Sequence, residues 1–229
     1  VPMPWRGTPL ATPIRVAVAR DDFGFGMHPA VATALDKAAS ALSDAGYAVE
    51  NIEPPLAKEI GEVGYRTLLS EVRDLLGPDI RKLGSSEINA IFDEYYRQFP
   101  PYEATQFPKM LAKRTYYARQ WALFLEDYPL VLTPFLLKPF FSPGRNAEGA
   151  EGAEGVRDAL GCSNWSFIMN FLGLPAGNLP THIAETENGP SPIGVQLVGR
   201  RWREDLIVDV MQAIEARIPP TCTTLWARS

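Results

Sequence analysis

The chain has 229 residues, 46% of them hydrophobic, so it is long and apolar enough to fold around a sizeable core. Its net charge of −5, with both signs mixed along the chain, gives no electrostatic reason to expect a nucleic-acid partner. No run approaches the roughly 18 consecutive apolar residues of a membrane helix, and the N-terminal residues do not have the pattern of a secretory signal.

The cysteine count favours a cytoplasmic protein. A chain of this length does not need a disulfide, so its two cysteines, Cys162 and Cys222, are expected to be reduced thiols. Val1 stands where an initiator methionine would, which favours a chain excised from something longer. No spacing of cysteine, histidine and acidic residues resembles a metal site.

The first part of the chain predicts a strand, a helix and a second strand. Residues 14–19 alternate in polarity and are rich in β-branched side chains, which is typical of a strand. Apolar residues then recur at helical spacing from Pro29 until Gly46, and residues 47–52 form a second strand pattern. This order predicts a βαβ unit with parallel strands.

Residues 56–126 are predicted to be a helical insertion. Its helices are expected over residues 56–76, ended by Gly77 and Pro78, over 86–99, capped by Ser86, and over 103–126. A short buried strand over 128–132 follows and runs into Thr133 and Pro134.

The last part of the chain predicts a helix, two strands and a final helix. The first helix covers residues 156–172, with Gly161 as a weak point, and Gly173 ends it. A short strand between Pro175 and Pro180, an acidic loop over 184–189 and a buried strand around 193–198 follow. The whole chain is therefore expected to be one α/β domain over residues 1–229, with a mixed, largely parallel sheet flanked by helices.

The residues by themselves do not predict a catalytic site. Ser163 is the nearest match to a serine in a nucleophile elbow, but the second glycine of that motif is absent and a helix-breaking turn is favoured. Ser85 and Ser86 open a helix, so capping explains them. The two histidines, His28 and His182, are far apart in the chain and no pattern links either to a serine.

Three segments resemble the amidase signature family, whose members cleave carboxamides with a serine nucleophile. The C-terminal one reads N-F-L-G-L-P-A-G-N-L-P-T-H from Asn170, followed by S-P-I-G-V-Q-L-V-G and a helix opening with Glu204-Asp205. Residues 15–50 resemble the family's strand, helix and strand after its catalytic core, and residues 114–134 its helix and strand ending in Thr-Pro. The three matches occur in the family's order.

The resemblance implies that this chain is the C-terminal portion of an amidase. The family's serine nucleophile, second serine and lysine base lie upstream of every matched segment, so no residue here is assigned a catalytic role. An N-terminal amidase portion is the expected partner, a homodimer is left open, and no cofactor is implied.

By resemblance, the strand that ends in Thr-Pro delivers the following residues to the acyl side of the cleft. Thr133, Phe135 and Leu136 are therefore predicted to bind substrate, with Phe140, Phe141 and Trp165 as weaker candidates. Such an apolar cleft would favour an aryl or alkyl carboxamide as the small-molecule substrate. Two alternatives remain open: these aromatic residues belong to the core, or the chain is a noncatalytic binding or assembly subunit derived from an amidase half.

Overall fold

A computed structural model describes residues 6–139, 152–186 and 189–227. Its centre is a five-stranded mixed sheet with the strand order β2-β1-β3-β5-β4. The strands are β1 (Arg15–Val18), β2 (Ala48–Asn51), β3 (Leu130–Pro134), β4 (Ala176–Thr186) and β5 (Gly189–Gly199).

The mixed sheet that the sequence predicts is confirmed, but its parallel part is smaller than expected. β1 pairs in parallel with both β2 and β3, as the βαβ pattern predicts. β5 pairs antiparallel with β3 and with β4. β4 and β5 form a hairpin, and a short connection can join only antiparallel neighbours. The parallel half of the sheet is therefore β2-β1-β3.

Helices cover both faces of the sheet. They are α1 (Pro29–Asp44), α2 (Ala57–Leu75), α3 (Gly77–Leu83), α4 (Ser86–Gln98), α5 (Phe107–Asp127), α6 (Gly152–Cys162), α7 (Asn164–Leu172), α8 (Glu204–Glu215) and α9 (Thr221–Trp226). Val16 and Val18 of β1 belong to one core cluster with α1 and α8, and Ala17 belongs to the other with α2, α5 and α7. This division follows from the alternation of side chains along a strand.

The helix α1 forms where the sequence predicts it. Its first residue is Pro29, which needs no hydrogen-bond acceptor for its nitrogen, and the Nδ1 atom of His28 accepts a hydrogen bond from the main chain of Ala30 at 3.2 Å. Leu35 and Leu42 are fully buried. Gly46 follows the helix at a φ of 88°, a conformation that glycine adopts without strain.

The helical segment between β2 and β3 differs from the prediction in its boundaries. Gly77 and Pro78 do not end the helical structure but open the additional helix α3, because proline is tolerated in a first helical turn. Ser85, not Ser86, caps α4, and its hydroxyl accepts a hydrogen bond from the main chain of Ile88 at 3.3 Å. A further short helix, α9, follows the two prolines that were expected to end the last helix.

The strand β4 is longer than the sequence indicates. It continues through Pro180 to Thr186, with an irregularity in pairing between Pro180 and His182. Proline is compatible with this position because β4 lies at the edge of the sheet. The expected acidic loop over 184–189 is therefore wrong in its described part, since Ala184 and Thr186 pair with Ser191 and Gly189 of β5.

No helix in the described ranges is long and apolar enough to cross a membrane.

Candidate functional site

The carboxyl ends of β1 and β3 lie at the same edge of the sheet because the two strands are parallel. The main-chain N–H of His28, after β1, donates to the carbonyl of Leu137, after β3, at 2.8 Å. The N–H of Leu137 in turn donates to the carbonyl of Cys162 at 2.9 Å. Two loops and the junction of α6 with α7 are thus joined at this edge, where ligands commonly bind in α/β sheets.

Two of the predicted substrate-binding residues, Thr133 and Trp165, are fully buried beneath this edge. The side-chain amide of Gln196 joins them: its Nε2 atom donates to the hydroxyl of Thr133 at 3.1 Å and approaches the carbonyl of Trp165 at 3.4 Å. The indole N–H of Trp165 donates to the carbonyl of Asp21 at 2.9 Å. These contacts hold the loop after β1, the end of β3 and the start of α7 together.

Two other predicted residues, Phe135 and Leu136, line an open cavity of about 210 Å³. Lys138 and Pro139 continue its wall, and β5 contributes Pro192, Ile193 and Gly194. Phe135 is 36% exposed, so its ring is available for contact. Phe140 and Phe141 lie outside the described residues.

A second cavity, the aromatic cavity, has a volume of about 250 Å³ and lies beside the same edge. Four aromatic side chains line it, together with three charged residues, two amides and a glycine: Phe23, Phe25, Tyr65, Phe99, Lys58, Glu62, Arg157, Gln98, Asn164 and Gly161. The sequence did not single out the aromatic members, because they come from four separate segments of the chain.

The packing of Phe25 shows why glycines surround it. A Cβ atom on Gly161 would lie 2.1 Å from the Phe25 ring, so the ring rests directly on the backbone of α6. Gly24 and Gly26 flank Phe25 at φ values of 85° and 77°, which lets the loop turn on both sides of it. The repeated Phe-Gly pattern at 23–26 was the signal in the sequence for this wall.

Tyr65 closes the inner side of the aromatic cavity. Its ring stacks on Phe167 at a centroid distance of 4.1 Å and contacts Phe99 at 5.2 Å. Its hydroxyl donates to the carbonyl of Leu160 at 2.7 Å and lies 2.9 Å from the Ser163 hydroxyl. Burial raises the pKa of Tyr65 well above its ordinary value, so the hydroxyl stays protonated and able to donate.

The family model described as Amidase matches residues 3–208. The chain belongs to the amidase family. An indoleacetamide hydrolase of Bradyrhizobium diazoefficiens is 31% identical over 226 residues, covering 99% of this chain and 42% of that relative. A polypeptide of the glutamyl-tRNA(Gln) amidotransferase of Lacticaseibacillus casei is 22% identical over 237 residues, covering 89% of this chain and 45% of that polypeptide.

A solved structure supports the fold of this amidase chain. The structure of 6-aminohexanoate cyclic dimer hydrolase complexed with substrate superposes with a TM-score of 0.71 at 21% identity, covering 94% of this chain and 47% of that one. The chain thus spans less than half the length of the relatives that it matches.

The remaining polar candidates in this amidase chain have structural partners. The Ser163 hydroxyl donates to the carbonyls of Ala159 and Leu160 at 3.1 and 3.2 Å, a bifurcated contact at the end of α6. Among the described residues, no basic side chain lies within hydrogen-bonding distance of Ser163. His182 is at the surface, where its Nδ1 atom lies 3.0 Å from the Lys37 ammonium group, and desolvation together with that charge lowers the pKa of His182.

Polar residues expected in the interior divide into one buried and one exposed. Gln196 is buried and bonded as described above. Asn170 was also expected to satisfy buried backbone, but it is exposed, and its amide donates to the carbonyl of Ser166 at 3.0 Å within α7. Within the described ranges, no three histidine, cysteine or acidic residues are grouped so as to hold a metal ion.

Proposed function

We propose that this chain is the C-terminal portion of an amide hydrolase that cleaves the C–N bond of an aryl or alkyl carboxamide. The observation that carries the proposal is the 31% identity to an indoleacetamide hydrolase over 99% of the chain. That relative is more than twice as long, which leaves room for a catalytic portion outside this chain.

The catalytic groups are proposed to come from an N-terminal portion that precedes these residues in the complete protein. A serine would attack the carboxamide carbon, the amine would leave after protonation by a lysine-linked serine, and water would then release the acid. In support, Ser163 has no base beside it in the described structure and bonds to main-chain carbonyls instead. This chemistry requires no cofactor.

The aromatic cavity is proposed to hold the aryl or alkyl group of the substrate. It lies at the carboxyl edge of the parallel strands, and its rings offer apolar contact with a few polar groups for orientation. Phe135 and Leu136 are proposed to form a neighbouring wall, with Phe140 beyond them. Thr133 and Trp165 are proposed to act by positioning, since both are fully buried.

The role proposed for the helical segment is to complete that cavity. α2 supplies Tyr65 and the end of α4 supplies Phe99, so residues 56–126 contribute one of its walls. A cytoplasmic location and a homodimer remain predictions. The second candidate function is a noncatalytic binding or assembly subunit, which is favoured only by the short length of the chain relative to the matched proteins.

Activity measurements on two forms of the protein test the proposal. Intact-mass spectra first establish whether a preparation contains this chain alone or a longer polypeptide. Ammonia release from indole-3-acetamide is then measured for both forms. We expect the longer form to be active and the lone chain to be inactive. Amide hydrolysis by the lone chain that disappears in Ser163→Ala would overturn the assignment of catalysis to the N-terminal portion.

Truncation of an aromatic wall tests the cavity itself. Loss of a Phe99 ring contact that is buried by substrate should weaken binding by about tenfold or more, seen as a raised KM in Phe99→Ala. Tyr116→Ala removes an exposed aromatic ring on α5 and serves as the matched control. Equal KM values in the two variants would exclude the aromatic cavity as the substrate site. Inactivity of the longer wild-type form would instead favour the noncatalytic role.

A further inference from the structure

Asn164 is a buried polar residue whose side chain has no partner in the described structure. It is the first residue of α7, is 5% exposed and lines the aromatic cavity. Its side-chain amide makes no hydrogen bond with the described part of the chain. Buried polar side chains are nearly always hydrogen-bonded, so an exception in a cavity wall requires an explanation.

The Asn164 amide has an opening, and the cavity provides it. Among the described residues, no side-chain nitrogen or oxygen is both sealed from solvent and without a hydrogen bond. The unbonded amide of Asn164 therefore retains accessible surface, while the residue as a whole is nearly sealed by protein. The surface that remains faces the space that the aromatic rings enclose.

The position of this amide is fixed by close packing on α2. A Cβ atom on Gly61 would lie 2.1 Å from Asn164 Oδ1 and 2.9 Å from Nδ2, so the amide rests directly on the glycine backbone. Only a residue without a side chain leaves room for it there. A hydrogen-bonding group that is held in place before a ligand arrives loses little conformational freedom on binding.

The other polar residues of the cavity do not share this arrangement. Lys58, Glu62 and Arg157 are exposed, and Arg157 lies over the Phe25 ring with its guanidinium carbon 5.5 Å from the centroid. The Gln98 amide donates to Glu94 at 2.6 Å. Asn164 is thus the buried, unbonded hydrogen-bonding group of the described lining.

We propose that Asn164 recognises a hydrogen-bond donor on the edge of an aromatic substrate, such as the N–H of an indole ring. The inference rests on the proposed function, and it adds the class of ring that the cavity selects. Four aromatic side chains would contact the ring, and the Asn164 carbonyl oxygen would accept its N–H. The name of the 31% identical relative, an indoleacetamide hydrolase, agrees with such a ring.

A site of this kind discriminates against a ring of the same shape without the donor. Such a ring would cover the Asn164 amide and leave it unpaired, which is costlier than leaving it open to water. Asn164 is therefore inferred to be a specificity-determining residue for this amidase.

The test compares two probes of equal shape, indole-3-acetamide and benzofuran-3-acetamide, in which an oxygen replaces the ring N–H. Binding is measured by calorimetry on the protein that includes its N-terminal portion. We expect the wild type to prefer the indole by about tenfold, the effect of one buried hydrogen bond. Asn164→Leu should abolish the preference, mainly through weaker indole binding. Asn164→Asp keeps an acceptor oxygen and should retain it.

Controls separate a recognition role from a structural one. Gln212→Ala removes an exposed amide on α8 and should keep the full preference. Circular dichroism and the urea midpoint report folding of each variant. If Asn164→Leu does not fold, the wild type and Asn164→Asp still decide.

Two results would overturn the inference in different ways. If the wild type binds both probes equally, or if Asn164→Leu keeps the preference, Asn164 does not read the ring and the proposed amide hydrolase is unaffected. If neither probe binds while other carboxamides are hydrolysed, the indole-type substrate class is wrong. If no carboxamide is hydrolysed, the proposed function fails as well.

Discussion

The buried contact between Gln196 and Thr133 provides a quantitative prediction for the stability of the site. Thr133 is fully buried and Gln196 is 2% exposed, and the amide donates to the hydroxyl at 3.1 Å. The Thr133 hydroxyl itself donates to the carbonyl of Pro134 at 2.9 Å. Removing either side chain's polar atoms therefore leaves different groups without a partner.

The two single substitutions should differ in cost. Thr133→Val conserves shape but leaves the Gln196 amide with only its 3.4 Å contact to the Trp165 carbonyl, so we expect a loss of about 2 kcal/mol. Gln196→Leu removes the donor and leaves the Thr133 hydroxyl bonded to Pro134, so no donor is stranded and a loss of about 1 kcal/mol is expected. The double variant should cost about 1 kcal/mol less than the sum of the two, because it contains no stranded amide.

Urea unfolding of the four proteins measures these differences. The midpoints give the free energies, and equal slopes show that the unfolded states are comparable. Near-UV circular dichroism of Trp165 reports whether the start of α7 stays in place. Additive costs, or a larger loss for Gln196→Leu than for Thr133→Val, would refute the reasoning that the buried amide depends on the Thr133 hydroxyl.

Three further predictions concern the aromatic cavity and the charged groups. Tyr65→Phe should cost about 1 kcal/mol through the lost bond to the Leu160 carbonyl. Because burial raises the pKa of Tyr65, wild-type stability should fall as the pH rises above about 10, and less steeply in the variant, in urea titrations at several pH values. The hydrogen bond from the arginine two positions earlier lowers the pKa of Asp205, so the stability from this pair should be lost as the pH falls below about 4, a dependence absent from Asp205→Asn. Gly161→Ala places a methyl group against the Phe25 ring, so it should raise the KM for indole-3-acetamide while the helix propensity of alanine, worth about 1 kcal/mol, offsets part of the strain.

Much of the fold could be predicted because local patterns carried it. The capping of α1 at His28 and its apolar spacing depend on residues within a few turns of each other. The errors occurred where tertiary structure overrides a local signal. Pro180 is compatible with a strand because β4 lies at the sheet edge, and Gly77 with Pro78 opens a helix instead of ending one.

The candidate site was less predictable, because its members meet only in the folded chain. Phe135 and Leu136 follow a recognisable strand end, and they do line a cavity. Trp165 carries an aromatic side chain that looks equally suitable in the sequence, yet it is fully buried. Residue type and periodicity report that a side chain is apolar, but they do not distinguish a core position from a cavity wall.

By itself, the sequence determined the family resemblance, the order of most elements and the absence of an identifiable serine–base pair, since each depends on residues close together in the chain. The tertiary structure decided which distant segments converge. It placed Phe25, Tyr65 and Phe99 around one cavity and set the amide of Asn164 against Gly61. The physical reason is that hydrophobic patterning specifies which side of an element is buried, whereas the packing of whole helices on the sheet specifies what that side meets.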